Sequence, residues 1–204
     1  MSENELNDCG IAERWFGNAF EQLHPQLQRL HRNGGKLEGQ VTLSFGDGVA
    51  GLIGRRIAKK LSLPTASGNF PFSVTIAHDD SSQIWGRTFN GQTVTSVFTP
   101  VGEYPNGFWV EKTGFIHLTL GVKIIDGGWH WQQNETRIWR VQLPCWLQPT
   151  TRAYKIFNEN SYEFCVSFEW GGLGEILCYK GQLNVAGSIK GNKKGAEAPY
   201  QNLR

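Results

Sequence analysis

The segment Trp85-Gly86-Arg87-Thr88-Phe89 sets a guanidinium between two aromatic rings at alternate positions. On a strand those three side chains share one face. If that aromatic face points inward, Arg87 is a buried cation and needs a partner. Glu111 is one candidate, closing the Phe108-Trp109-Val110 run ahead of Lys112-Thr113-Gly114. A ligand carboxylate or phosphate is another. The competing reading leaves either charge at a sheet rim in water. Arg137 shares a face with Trp139 and poses the same question.

The chain has eight tryptophans, more than filling a small sheet normally needs. Trp129 and Trp131 share a strand face, and Trp139 has the same parity eight residues on. Such a set lines an aromatic cavity, stacks on a sugar, or fills a core. Of the first two the cavity is preferred, because nothing in the sequence exposes the rings together. The histidines are His24, His31, His78, His117 and His130, with no HxH or HExxH spacing. No metal site is expected. His117 and His130 fall on neighbouring candidate strands, where a sheet pair is the commoner outcome than a catalytic couple. No GxSxG elbow occurs, and no cysteine stands visibly beside a base. The run Gly46-Asp47-Gly48-Val49-Ala50-Gly51 matches GxGxxG between a strand and a helix. The strand before it alternates polar and apolar, and no βαβ pattern follows. A plain strand-to-helix turn is the better reading, and no cofactor is expected.

These residues need elements to position them. Phe16, Phe20, Leu23, Leu27 and Leu30 give residues 13–31 an apolar helical stripe, with Pro25 inside it as a point of splitting or kinking. A strand follows at about 37–45. A second helix over 49–62 would turn Val49, Leu52, Ile53, Ile57 and Leu61 inward and Arg55, Arg56, Lys59 and Lys60 outward, and Pro64 ends it. That basic face is ordinarily solvated, although an anionic membrane surface would also attract it. Period two then governs residues 70–78, 82–90, 92–99, 107–112, 114–125, 128–140, 150–158, 161–170 and 173–185. Asn90-Gly91, Gly127-Gly128 and Gly171-Gly172 are among the hairpin signals between them. A two-residue turn at Gly171-Gly172 would set Cys165 directly opposite Cys178, where two thiols are preferred over a disulfide. Consecutive hairpins without helices make an antiparallel meander, and nine strands curl. The expected fold is α+β: a long, strongly curved antiparallel sheet, a half-open barrel, wrapping one or two N-terminal helices. Residues 1–12 form a tail, 13–187 one domain, and 188–204 a polar, disordered tail.

Composition narrows the class. The chain has 204 residues, 20 Lys+Arg against 18 Asp+Glu, and 25 glycines. One well-buried domain fits that length. The even charge balance argues against a nucleic-acid binder and against an acidic disordered chain. The N-terminus lacks the basic and apolar regions of a signal peptide, and no run approaches the roughly 18 apolar residues of a membrane span. A soluble cytoplasmic protein is expected. The cysteines (Cys9, Cys145, Cys165 and Cys178) form no CxxC pair.

The order of features is also telling. After the helix ending near His31 come Gly39, Leu61-Ser62-Leu63-Pro64 and Trp85-Gly86-Arg87-Thr88-Phe89-Asn90-Gly91. Then follow Ser96, Glu111-Lys112-Thr113-Gly114, Trp139, Leu143-Pro144, Gly174 and Tyr179-Lys180-Gly181-Gln182-Leu183. This order resembles, over roughly residues 15–185, a bacterial domain family known only as a domain of unknown function. Its members occur alone or fused behind saccharopine-dehydrogenase-like reductases or membrane segments. The resemblance carries over to Trp85, Arg87, Phe89, Gly91, Ser96, Glu111, Gly114, Pro144, Gly174, Tyr179 and Gly181. It implies no established activity. The fusion hints at holding an apolar metabolite for a reductase, which is analogy only.

Three functions are consistent with these residues. The preferred one is a non-enzymatic module binding an apolar or amphipathic, lipid-like molecule on the concave face of the sheet. Arg87 would anchor its anionic end and Glu111 would orient Arg87. Trp85, Phe89, Trp109 and Trp139 would line the pocket, and Ser96, Arg137 and Tyr179 complete the candidate set. A docking module for a reductase or membrane is the second. A cavity enzyme using Glu111 with Arg87 or a histidine is the third.

Overall fold

The computed structural model describes residues 10–139, 141–144, 148–158 and 161–186. Cys9, Cys145, Trp146 and both expected tails, apart from Gly10–Ala12, lie outside the described residues. The chain begins with helix α1 (Ile11–Phe16), a 3₁₀ turn (Gly17–Gln22) and α2 (Pro25–Asn33). Next come β1 (Gly35–Phe45) and α3 (Gly48–Lys60). The remainder is strand: β2 (Gly68–His78), β3 (Gln83–Phe89), β4 (Gln92–Val101), β5 (Phe108–Thr113), β6 (Ile116–Ile125) and β7 (Gly128–Ile138), then β8 (Val141–Gln142), β9 (Thr150–Asn158), β10 (Ser161–Trp170) and β11 (Gly174–Val185).

The sheet is not half-open. It closes into a ten-strand antiparallel barrel in the order β6-β5-β4-β3-β2-β1-β11-β10-β9-β7, with β7 returning to β6 and the short β8 paired on β7. The strand early in the sequence makes the difference. β1 pairs with β2 on one side and β11 on the other, joining the two ends of the meander. Closure leaves no ring strand with an unpaired edge, which a nine-strand open sheet would have exposed. Where β1 and β11 run close, small residues are required. A Cβ on Gly181 would sit 2.3 Å from the Gln40 carbonyl oxygen. The Asn90-Gly91 turn has positive φ at both residues, 45° and 84°, the geometry whose twist matches a hairpin. The β6–β7 turn falls at Asp126-Gly127, one residue earlier than the Gly-Gly pair suggests.

The first helical stripe breaks into three pieces, with Pro25 at the start of α2 rather than within a continuous helix. Proline lacks the N–H an interior position needs but suits a first turn. These pieces plug one mouth of the barrel. Trp15 meets Trp109 edge-on at 5.5 Å and Phe16 meets Trp129 at 4.8 Å. The hairpin turns at that end hold the plug. The His24 amide donates to the Gly127 carbonyl at 2.8 Å, and the Tyr104 amide donates to the Trp15 carbonyl at 2.9 Å.

Helix α3 crosses the other mouth. Its first half lies on the start of β11, and its last turn reaches the β5–β6 turn, with the Lys60 ammonium 5.2 Å from the Phe115 ring centre. Its inward face differs from the expected one. Ala50, Gly51, Gly54 and Ala58 are buried, while Val49 and Leu52 are 60% and 63% exposed. Ile53, Ile57 and Leu61 pack only partly against the core. Small residues bring the helix backbone down onto the strand, which turns the large apolar pair outward. A Cβ on Gly54 would lie 2.1 Å from the Ile176 carbonyl oxygen. Gly54→Val should therefore lift α3 and cost about 1–3 kcal/mol, as overpacking does. Urea unfolding measures it, and an unchanged midpoint would contradict this packing. Among the described residues, no helix is long and apolar enough to cross a membrane.

Candidate functional site

Period-two alternation turns Gln83, Trp85, Arg87 and Phe89 of β3 into the lumen, along with Ser96 of β4 and Glu111 and Thr113 of β5. The ladder sets Trp85 opposite Ser96 and Ser96 opposite Thr113. Arg87 is thereby a nearly buried cation with an internal partner. Its Nη2 donates to Glu111 Oε1 at 3.0 Å, with 15% and 12% of the two side chains exposed. The same nitrogen donates to the Ser96 hydroxyl.

The hydroxyls around the pair fall into a directional chain. Thr113 donates to Glu111 Oε1 at 2.8 Å. The Thr113 oxygen must then be the acceptor in its contact with Ser96. Ser96 accepts from Arg87 and passes its own proton on, so every hydroxyl in the relay is used once each way. From the far wall, Tyr179 of β11 reaches across the lumen and accepts from Arg87 Nη1 at 2.9 Å. Burial holds the Tyr179 phenol protonated above its ordinary range, so its own proton remains available to donate. Arg87 Nε is buried and has no hydrogen-bond partner among the described residues. The cluster therefore offers donors to a further oxygen.

Beside this cluster lies a cavity of about 100 Å³. Trp85, Phe89, Phe98, Trp131 and Phe164 line it, and Leu61 and Leu63, at and beyond the end of α3, close it. Lys155 of β9 also faces it.

The expected site residues divide accordingly. Arg87, Glu111, Ser96 and Tyr179 come together, and Trp85 and Phe89 stand at the cavity. Trp109 is fully buried, but it packs between Trp15 and Trp129 in the plugged end rather than on the cavity wall. Trp139 is 69% exposed and lies edge-on to Phe115. Arg137 faces solvent beside Glu135, 3.6 Å away. One irregularity explains both corrections. Thr119 pairs with Glu135 and Leu120 with Gln133, so Asn134 is an extra residue in β7. A bulge inverts the parity beyond it. Trp129 and Trp131 keep the inward face, but Thr136 inherits it afterwards.

Two other expected pairings also shift. His117 faces Arg137 and His130 faces Lys123, so the two histidines are not partners. Cys165 lies opposite Lys180 and Cys178 opposite Ser167, because the turn has three residues and a bulge follows Phe168. Both cysteines are free thiols, with the sulfurs 4.0 Å apart.

The family described as Domain of unknown function (DUF4166) matches residues 23–183, more than half of the chain. The chain belongs to that family. The matched span takes in α2, ten complete strands, and β11 as far as Leu183, together with the whole Arg87 cluster and the cavity wall. It leaves out α1 and the whole 3₁₀ turn, so the front half of the plug lies outside the part that defines the DUF4166 domain. No curated protein matches the chain.

The sequence reading missed Lys155 and His31. Both are buried, and Lys155 Nζ lies 2.8 Å from His31 Nε2. A faint signal existed: Lys155 has the parity of Thr151, Ala153 and Phe157. The opposite face, Thr150, Arg152, Tyr154 and Ile156, is equally mixed, so alternation could not say which side was interior.

Proposed function

We propose that this protein binds a short apolar or amphipathic molecule inside its barrel, with an oxygen-bearing end held at the Arg87 cluster. The supporting observation is Arg87 Nε, unpartnered among the described residues, beside a cavity walled mainly by aromatic and aliphatic side chains. A buried guanidinium leaves a donor unused only at a cost, and a ligand oxygen would recover it. Glu111 already neutralises Arg87, so a hydroxyl or carbonyl end suits the cluster as well as the anionic end first expected. The volume suits a short chain, since drug-sized ligands occupy about 300–1,000 Å³. A full-length lipid would require the walls or α3 to move.

Native mass spectrometry of freshly purified protein tests this. A stoichiometric adduct lost on denaturation is expected, together with a rise in Tm on adding hexanol or hexanoate. Val94→Trp, which fills the cavity from β4, should abolish both. A bare mass together with an unshifted Tm would overturn the reading.

Docking is a second reading, favoured by the exposed Val49 and Leu52 of α3 near Arg55, Arg56, Lys59 and Lys60. Here α3 would rest on an anionic membrane or on a partner such as a reductase, in the cytoplasm. Flotation with phosphatidylserine vesicles tests the membrane case, and Val49→Asp with Leu52→Asp should abolish any binding seen. The enzyme alternative gains less support, because Glu111 Oε1 is occupied by both Arg87 and Thr113.

A further inference from the structure

Lys155 is an unusual wall residue. It is 2% exposed, and among the described residues no carboxylate pairs with it. Its only hydrogen-bond partner among those residues is His31 Nε2 at 2.8 Å. Three indole rings surround the nitrogen, with centres at 3.7 Å (Trp129), 4.3 Å (Trp85) and 5.3 Å (Trp131). The β7–β9 ladder produces this arrangement by setting Lys155 directly opposite Trp129.

From this geometry we infer that Lys155 is a covalent capture site for aldehydes, forming a reversible imine with a carbonyl compound that enters the cavity. The inference rests on the proposed cavity binding and adds the chemical class of the ligand's reactive end.

Several features support it. The indole faces would attract an ammonium, by about 2 kcal/mol when desolvated. Against that, burying an ammonium with no counter-ion costs several kcal/mol. Desolvation prevails, and burial pushes Lys155 well below the ordinary lysine value. His31 is pushed down too, first by burial and then by the neighbouring Lys155. Burial thus favours the neutral form of both bases, whose nitrogens lie 2.8 Å apart. An amine donating an N–H to Nε2 keeps its lone pair for the cavity. Desolvated lysines of this kind act as imine-forming nucleophiles.

The step balances without any redox partner. The Nζ lone pair attacks the aldehyde carbon, forming the C–N bond, and the carbonyl π electrons move onto oxygen. His31 Nε2 takes one proton from the nitrogen and returns it to that oxygen, giving a neutral carbinolamine. Loss of the hydroxyl, with the second nitrogen proton, releases one water and leaves the C=N bond. Hydrolysis by the reverse path releases the aldehyde. His31 is a positioning and proton-relay residue in this scheme. The aromatic cage holds the planar imine and excludes bulk water.

Hexanal with cyanoborohydride at neutral pH tests the assignment. Peptide mapping should show one hexyl group on Lys155, installed at least about tenfold faster than on any other lysine, since each unit of pKa depression gives tenfold more free amine. Excess hexanol should slow it, and prior unfolding in urea should erase the preference. Lys155→Met should lose the fast adduct. His31→Gln should slow it several-fold while hexanol still raises Tm. Should either variant fail to fold, hexanol competition and the urea comparison on the wild-type chain still decide the matter. Labelling spread over surface lysines, with Tm still raised by hexanol, would overturn the imine site and leave the cavity reading standing. No selective label and no Tm shift would overturn both.

Discussion

Glu111→Leu should destabilise this protein by about 3–5 kcal/mol, the range for stranding one partner of a buried ion pair. The loss has an identifiable origin. Arg87 would keep Ser96 and Tyr179 as acceptors, but a nearly buried guanidinium would have no counter-charge. Thr113 would lose its acceptor as well. For a chain of this size, Tm should fall by about 6–20 °C. The double variant Arg87→Met with Glu111→Leu should recover most of the loss, because the charge and its penalty leave together. Urea unfolding of the wild type, both single variants and the double variant closes the cycle. Additive losses would mean that the two charges are not coupled, and the geometry of the cluster would need another explanation.

The second large effect lies at Lys155, and its sign can be worked out. The unfolded lysine has its ordinary value of 10.5 and the folded one lies well below it. Between those values the unfolded chain binds one more proton than the folded chain. Stability therefore rises with pH across that window, is lost as pH falls through it, and levels off below the folded value. The slope reaches about 1.4 kcal/mol per pH unit. His31 adds a similar window below its ordinary 6.5, where acid again destabilises. Tyr162 and Tyr179 work oppositely. Burial raises both phenols, so stability is lost as pH rises past their ordinary value of 10.0. They are common to wild type and variant, so a difference isolates the lysine. Lys155→Met should be more stable than wild type at pH 7, with the gap closing by pH 10. Unfolding free energies at pH 7, 8 and 9.5 measure it. A gap independent of pH would show that Lys155 stays charged in its aromatic cage.

Much of this architecture is written in local pattern. The period-two runs locate nine strands to within a few residues, because alternation follows directly from the pleat. Asn90-Gly91 marks its hairpin because few other residue pairs accept positive φ twice. The same alternation puts Arg87 on one face with Trp85 and Phe89, so a guanidinium among aromatic rings is legible from strand parity, with Glu111 as one candidate partner. Tertiary structure decided the rest. The Arg87–Tyr179 bond joins residues 92 positions apart and exists only because β1 closes the ring. Asn134 places one extra residue in β7, and no composition signal announces a bulge, so Trp139 and Arg137 end on the outside. Helix α3 seats itself by Gly51, Gly54 and Ala58, because backbone contact with β11 outweighs burying Val49 and Leu52. Lys155 stayed hidden because both faces of β9 mix polar and apolar side chains. Periodicity reports which side chains share a face. Only closure of the barrel determines which face is the interior, and what waits on the opposite wall.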